Sequence, residues 1–216
     1  MPAAAMTFDS LVTDVKDYIE RGSTADETVL RQIPRIINNT ERLLADRLKI
    51  TGYLAPVTSA MQTSVPVIAK PANWRSTVSI NYGTGTDQST RRTLRARAYE
   101  YIRAIYPNDL SVGYPEFYCD YNLDNWLVQP TPADNYPFEA MCYLLPPLLD
   151  TSNQENYLTR YAPFLLLYSC LKGMEAFLRN DPRIAVWEAL AEQNFEAINA
   201  EDLRRMVDRA QVRDTN

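Results

Sequence analysis

The stretch Asn125-Trp-Leu-Val-Gln-Pro-Thr-Pro-Ala-Asp-Asn-Tyr-Pro-Phe-Glu-Ala-Met-Cys-Tyr-Leu-Leu-Pro-Pro-Leu-Leu149 decides the fold. Two runs, Asn125 to Gln129 and Tyr136 to Tyr143, are rich in the aromatic and branched residues that suit a pleated, half-buried surface. Pro130 and Pro132 between them cannot donate a ladder hydrogen bond, so the Pro-Thr-Pro break predicts a turn or edge and the two runs are predicted to pair as a hairpin. Pro146-Pro147 then stops the strand pattern. Helix-like sequence lies on both sides, which makes this segment a β module set into a helical protein. It carries no recognisable active site, and that points towards a structural role.

Working outward, the strand-like texture extends from Tyr53 to about Leu149. Val65, Val67 and Ala69 alternate, as do Val78, Ile80 and Tyr82. The segment from Gly83 to Thr90 reads as a hairpin tip returning through Thr93 to Arg97, and Glu116 to Tyr121 is a further strand joined to the next by a turn at Asn122-Leu123-Asp124. Tyr99 to Ile105 predicts a short helix stopped by Pro107.

Both ends of the chain have helical period. Phe8, Leu11, Val12, Val15, Tyr18 and Ile19 form one stripe, with Thr7 as N-cap and an end near Arg21-Gly22. Thr24 and Glu27 fit a capping box for a second helix ending at Gly52, with a kink or break expected at Pro34. Ser152 and Glu155 fit another box before an almost continuously apolar face from Tyr157 to Phe177, the mark of a central helix. Pro163 fits a first helical turn or a kink, and Asp181-Pro182 opens a helix that runs on to Arg213 or hinges near Asn199. The expected fold class is α+β, a helical bundle from the N- and C-terminal helices with an inserted antiparallel β module. Its parts are residues 1–52 with 150–216, and 53–149, intertwined as one domain.

The chain has 216 residues, of which 46% are apolar and 11% aromatic, enough for a packed core. A net charge of −5 suits solubility and argues against wholesale phosphate binding. Cys119, Cys142 and Cys170 are widely spaced within apolar runs and read as buried hydrophobes in a reducing compartment. No signal peptide is visible, and the longest apolar run falls short of the roughly 20 residues that span a bilayer. Synthesis in a cytoplasm and no membrane association are therefore expected.

The chain has no histidine, which removes the commonest general base, the usual zinc ligand and every Ser-His or Cys-His nucleophile. Gly83-Thr-Gly-Thr-Asp lacks the Gly-Lys-Ser/Thr ending of a phosphate cradle and reads as a turn. Asp120 and Asp124 flank a tight turn, where such residues cap the backbone. No enzyme activity, cofactor or metal site is predicted. Arg91, Arg92, Arg95 and Arg97, with Arg103, stand out against the acidic whole; they read either as a solvated strand face or as a contact with DNA or with a neighbouring subunit. Arg204, Arg205, Arg209 and Arg213 are interleaved with acids as on an ordinary helix surface. Fourteen tyrosines suit surfaces that become buried on assembly, as well as core packing.

The Pro71-Ala72-Asn73-Trp74 step, Gly113-Tyr114-Pro115 leading into Phe117-Tyr118, Leu127 to Pro132 before Tyr136, and Asn156-Tyr157-Leu158 with Tyr161-Ala162-Pro163 resemble the head-to-tail adaptor (connector) proteins of tailed bacteriophages. The resemblance implies a homo-oligomeric ring, a dodecamer as a rule, in the virion neck between the capsid portal and a tail or nozzle protein. It implies that genomic DNA passes through the ring without specific binding. It also implies portal docking by the last helix, at Leu203, Arg204, Arg205, Met206, Val207, Arg209 and Arg213. A packaging accessory protein that binds DNA through Arg91 to Arg97 is the competing expectation.

Overall fold

The computed structural model describes residues 5–19, 27–48, 51–83, 90–178 and 181–211, with the side chains of 28, 51 and 205–211 outside the description. Along the chain run helices α1 (Phe8–Tyr18) and α2 (Glu27–Arg47), then strands β1 (Leu54–Ala60), β2 (Val67–Ala69), β3 (Trp74–Gly83), β4 (Arg91–Thr93) and β5 (Arg95–Ala96). Helix α3 (Tyr99–Ile105) precedes β6 (Val112–Gly113), β7 (Phe117–Asp120), β8 (Asn125–Gln129), β9 (Thr131–Pro132) and β10 (Pro137–Leu144). Helices α4 (Tyr157–Tyr161), α5 (Pro163–Gly173) and α6 (Arg183–Gln211) follow, so the fold class is α+β. Two compact units form, one from Met1–Gly52 with Pro146–Asn216 and the other from Tyr53–Leu145.

In the helical unit α5 is the central element, packed by α1, α2, α4 and α6. Leu165, Leu166, Leu167, Cys170 and Leu171 bury most of its circumference, as the run of apolar residues requires. Thr7 caps α1, its hydroxyl accepting from Ser10 N, and Pro163 occupies the first turn of α5. Of the kink or break expected at Pro34, the break is absent, since helix α2 continues through it, and Asn38 Nδ2 donates to the Pro34 carbonyl at 2.9 Å. Helix α6 is continuous past Asn199. Arg21, Gly22 and Thr24 lie outside the described residues.

The capping box expected at Ser152 and Glu155 sits four residues further on. Asn156 is the N-cap of α4 and pairs with Thr159, because the Asp150 carboxylate draws the amides of Ser152 and Asn153 into a turn of their own. The same Asn156 amide donates to Glu41, a carboxylate in the middle of α2 that is 1% exposed. Leu149 N donates to the other Glu41 oxygen at 3.0 Å. One buried side chain therefore fixes the segment leading into α4. Gly52 belongs to the same unit, and the Tyr157 ring occupies the space that a Cβ there would need.

The β unit is a sandwich. Its first sheet has the order β1-β10-β3-β4, antiparallel throughout, and its second β2-β8-β7-β5, antiparallel except for the parallel pair β5 and β7. Ile80, Tyr82, Phe138, Ala140 and Cys142 of the first sheet meet Ile68, Tyr118, Trp126 and Val128 of the second in one buried cluster. On the far face of the second sheet, Ile102 of α3 packs with Phe117, Cys119 and Leu127.

Two expectations about pairing are corrected. The runs Asn125 to Gln129 and Tyr136 to Tyr143 are not a hairpin, since β8 lies in the second sheet and β10 in the first. The Pro-Thr-Pro break is itself strand β9, parallel to β6, with Thr131 N donating to Ser111 O and Ala133 N to Gly113 O. Those bonds carry the chain across the sandwich instead of back along β8. The return from Gly83 likewise divides at Leu94. Arg91 to Thr93 pair with β3, whereas Arg95 and Ala96 pair with β7. Residues 84–89 of the tip lie outside the description. Strand β1 escapes sequence reading because it is an edge strand containing Pro56 with little buried on either face.

Burial is the largest influence on the Glu41 carboxyl and holds it above its ordinary value of 4.5, outweighing the Leu149 amide, the Asn156 side chain and nearby Arg42. The folded chain thus takes up this proton more readily than the unfolded chain does. Stability from Glu41 is complete below 4.5 and is lost as the pH rises through the folded value. Urea unfolding across that window is expected to show a steeper fall for the native chain than for Glu41→Gln; equal slopes would refute it.

Candidate assembly interface

Helix α3 has seven residues and a single buried one, Ile102, so most of its side chains remain at the surface. Tyr99, Tyr101 and Ile105 are exposed there. The loop after α3 is held by Asp109, whose carboxylate accepts from Arg103 NH1 at 2.7 Å and Gln129 Nε2 at 2.6 Å, and whose carbonyl accepts from Thr131 Oγ1. That anchor lets the loop present Leu110, Val112 and Tyr114, while the turn between β7 and β8 presents Tyr121 and Leu123.

The exposed tyrosines are propped in place. Tyr99 meets the Tyr121 ring at 5.8 Å, Tyr101 the edge of Phe117 at 5.9 Å, and Tyr114 the ring of Tyr136 at 5.7 Å. Guanidinium groups of Arg103, Arg97 and Arg92 lie over Tyr99, Tyr101 and Tyr114 at 5.5, 5.7 and 4.3 Å. Aromatic residues and arginine are the types enriched in interface cores. The fourteen tyrosines thus divide, since Tyr82, Tyr118 and Tyr136 are buried in the sandwich core. The Tyr82 hydroxyl donates to Pro115 O at 2.8 Å, and burial pushes its pKa up to about 12.

The arginines singled out in the sequence do not share one face. Arg91 lies on the outer side of the first sheet, its NH1 2.9 Å from Glu139 Oε1. Arg92 turns the other way, towards Tyr114. Arg95 stands opposite Phe117 on the outer face of the second sheet, and Arg97 lies over Tyr101 with NH1 donating to Ala96 O. Of the C-terminal candidates, Leu203 is 62% exposed and Arg204 is exposed on α6. Arg205, Met206, Val207 and Arg209 belong to α6 with side chains outside the description, as is Arg213 entirely. In the helical unit Tyr161 and Phe164 are also exposed, each beside a second ring, Tyr157 and Tyr168 respectively.

Groups that could do chemistry are tied into the scaffold. Lys70, which sequence reading passed over as a strand end, has a side chain only 1% exposed. Its Nζ lies 3.0 Å from Asp120 Oδ1, donates to Asn122 O at 2.8 Å and sits 3.5 Å from the centre of the Trp74 ring. Lys70 N donates to Asp124 O, so the Asp120 and Asp124 turn is a clamp on β2. No sequence pattern marks such a lysine, because Trp74 and Asp120 reach it only through the fold. The three cysteines are buried, and burial pushes Cys142 up to about 11 and Cys170 up to about 12. Among the described residues no group of three or more Asp, Glu or Cys side chains could hold a metal ion, and no helix is long and apolar enough to cross a membrane.

A comparison with protein families decides the identity. The family model for the SU10 adaptor protein matches residues 6–214. The chain belongs to the SU10 adaptor protein family. This is a family of phage head-to-tail adaptors, and membership makes the chain a structural adaptor component of the virion. Structural adaptors of this kind are generally not enzymes. No curated protein matches the chain.

Replacing Lys70 by alanine leaves the Asn122 carbonyl and the Trp74 face without their cation. Lys70→Ala is expected to lower unfolding stability by about 1–3 kcal/mol, read by denaturant unfolding.

Proposed function

We propose that this SU10 adaptor is a subunit of a ring, a dodecamer, that joins the capsid portal to the tail or nozzle at the virion neck. It is made in the host bacterial cytoplasm and adds to the portal there. In this reading the domain plan is a helical base from both ends of the chain, which faces the portal, and a β module that faces neighbouring subunits and the tail. The observation that carries the reading is the surface around α3, where Tyr99, Tyr101, Tyr114 and Tyr121 stay exposed yet ordered on a family adaptor. Such a surface is costly to leave in water and suits burial by protein. Leu203, exposed on a 29-residue helix, supports portal docking by Leu203, Arg204, Arg205, Met206, Val207, Arg209 and Arg213. The net charge of −5 supports passage of DNA through the ring without specific binding, by a repulsion that salt screens.

Mixed with the portal ring of the same phage, the chain is expected to form rings on it, seen by electron microscopy. The double substitution Leu203→Asp, Arg204→Glu is expected to weaken that binding at least about tenfold, equivalent to roughly 1.4 kcal/mol. A chain that stays monomeric with portal present would remove the reading.

Arg95, whose side chain makes no hydrogen bond or ion pair among the described residues, favours the competing role of DNA-binding packaging accessory. The partition of Arg91, Arg92, Arg95 and Arg97 between faces weighs against it. The expected outcome on a DNA column is no salt-dependent retention. Retention abolished by replacing Arg91, Arg92 and Arg95 with alanine would establish the accessory role instead.

A further inference from the structure

We infer that copies of this chain join through the two open edges of the first sheet, β4 of one copy adding to β1 of the next, with Thr93 opposite Thr58 and Arg91 opposite Ala60. The inference rests on the ring reading above and names the surface that closes the ring.

Hydrogen-bond phase shows which backbone groups are available. Met61 N donates to Tyr136 O, so alternation makes Ser59 with Phe138, Val57 with Ala140 and Ala55 with Cys142 the bonded pairs of β1 and β10. Leu54, Pro56, Thr58 and Ala60 therefore turn their backbone groups away from the sheet. By the same rule Leu94 N donates to Ile80 O, which makes Arg92 with Tyr82 a bonded pair and turns Arg91 and Thr93 outward. Pro56, Thr58, Ala60, Arg91 and Thr93 are all exposed. Strand β1 has seven residues and no charge to guard its edge, unlike β5 in the second sheet, where Arg97 NH1 covers the carbonyl of Ala96.

The occupant follows from direction and register. Every neighbouring pair in the order β1-β10-β3-β4 is antiparallel, so β1 and β4 run in opposite senses. A second copy set beside the first without inversion presents its β1 antiparallel to β4. Joining two different edges is a head-to-tail contact, the kind that closes rings. Arg91 and Thr93 together offer two N–H and two C=O groups, which need two successive outward residues on β1. Pairing that uses Pro56 lacks one donor. The register with Thr93 at Thr58 and Arg91 at Ala60 keeps every bond.

That register has a second, independent merit. Thr58 already stands opposite Glu139, Glu139 opposite Asn81, and Asn81 opposite Thr93. The register chosen by Pro56 therefore extends one straight row from copy to copy with no stagger. Thr93 Oγ1 donates to Asn81 Oδ1 at 2.7 Å, which leaves its oxygen free to accept from the next copy's Thr58 hydroxyl.

The test is a Thr58→Cys, Thr93→Cys double variant, assembled on the portal ring and oxidised. Bonded antiparallel pairs have Cα atoms about 5.5 Å apart, inside the range of roughly 4.4–6.8 Å that a disulfide spans. Within one copy the two positions are three strand spacings apart, about 14 Å, too far to bridge. A ladder of covalent oligomers on a non-reducing gel is expected from the double variant and none from either single one. Thr58→Pro, which removes an outward donor as Pro56 already does, is expected to keep the native circular dichroism and to raise the concentration needed for ring assembly at least about tenfold. Rings that form without the ladder, or that tolerate Thr58→Pro, overturn the edge pairing and leave the ring reading standing. Dimers from Thr58→Cys alone overturn it in favour of two β1 edges meeting. A chain that stays monomeric with portal present overturns both readings.

Discussion

Pro130 and Pro132 have no N–H to give to a ladder, and the sandwich depends on where the chain goes for that reason. Between them Thr131 turns its amide to Ser111 and its hydroxyl to Asp109, so the segment is held by the loop after α3 and not by β8. The following strand, β10, is delivered to the opposite sheet, where it pairs on both sides with β1 and β3. Its inward residues Phe138, Ala140 and Cys142 then close the core against Trp126 and Val128 of the strand that came just before. Had β10 folded back on β8, those same residues would have no second sheet to cover them.

The diversion also organises the outside. Asp109 joins the break to Arg103 of α3, and α3 covers the far face of the second sheet with one residue, Ile102. A helix that short cannot bury its aromatic flank, so Tyr99 and Tyr101 remain at the surface, held by ring and guanidinium contacts. Aromatic residues are enriched at interfaces between proteins, which is why this surface carries the proposed ring contact.

In the helical unit a different device does the fixing. Glu41 is buried in α2 with acceptors facing Leu149 N and the Asn156 amide, and Asn156 in turn caps α4. A buried carboxylate binds its donors strongly because water is absent, and the same absence raises the cost of its charge. The geometry of the segment entering α4 is thereby specific, at the expense of some stability at high pH.

The sequence by itself determined the fold class and the type of most elements, though not strands β1 and β9. Period in Phe8 to Ile19 and in Tyr157 to Phe177, alternation in Val78 to Tyr82, and Pro163 in a first helical turn are local signals, because propensity and capping act over a few residues. The absence of histidine also set the limits on chemistry without any coordinates. Only the tertiary structure decided which strands pair, since a ladder can be completed by any partner of the right phase. The sequence reading therefore paired the runs around Pro130 with each other, took Arg91 to Arg97 as one cluster, and had no means of seeing that Lys70 meets Trp74 and Asp120. Those contacts join residues distant along the chain, and no short-range periodicity carries information about them.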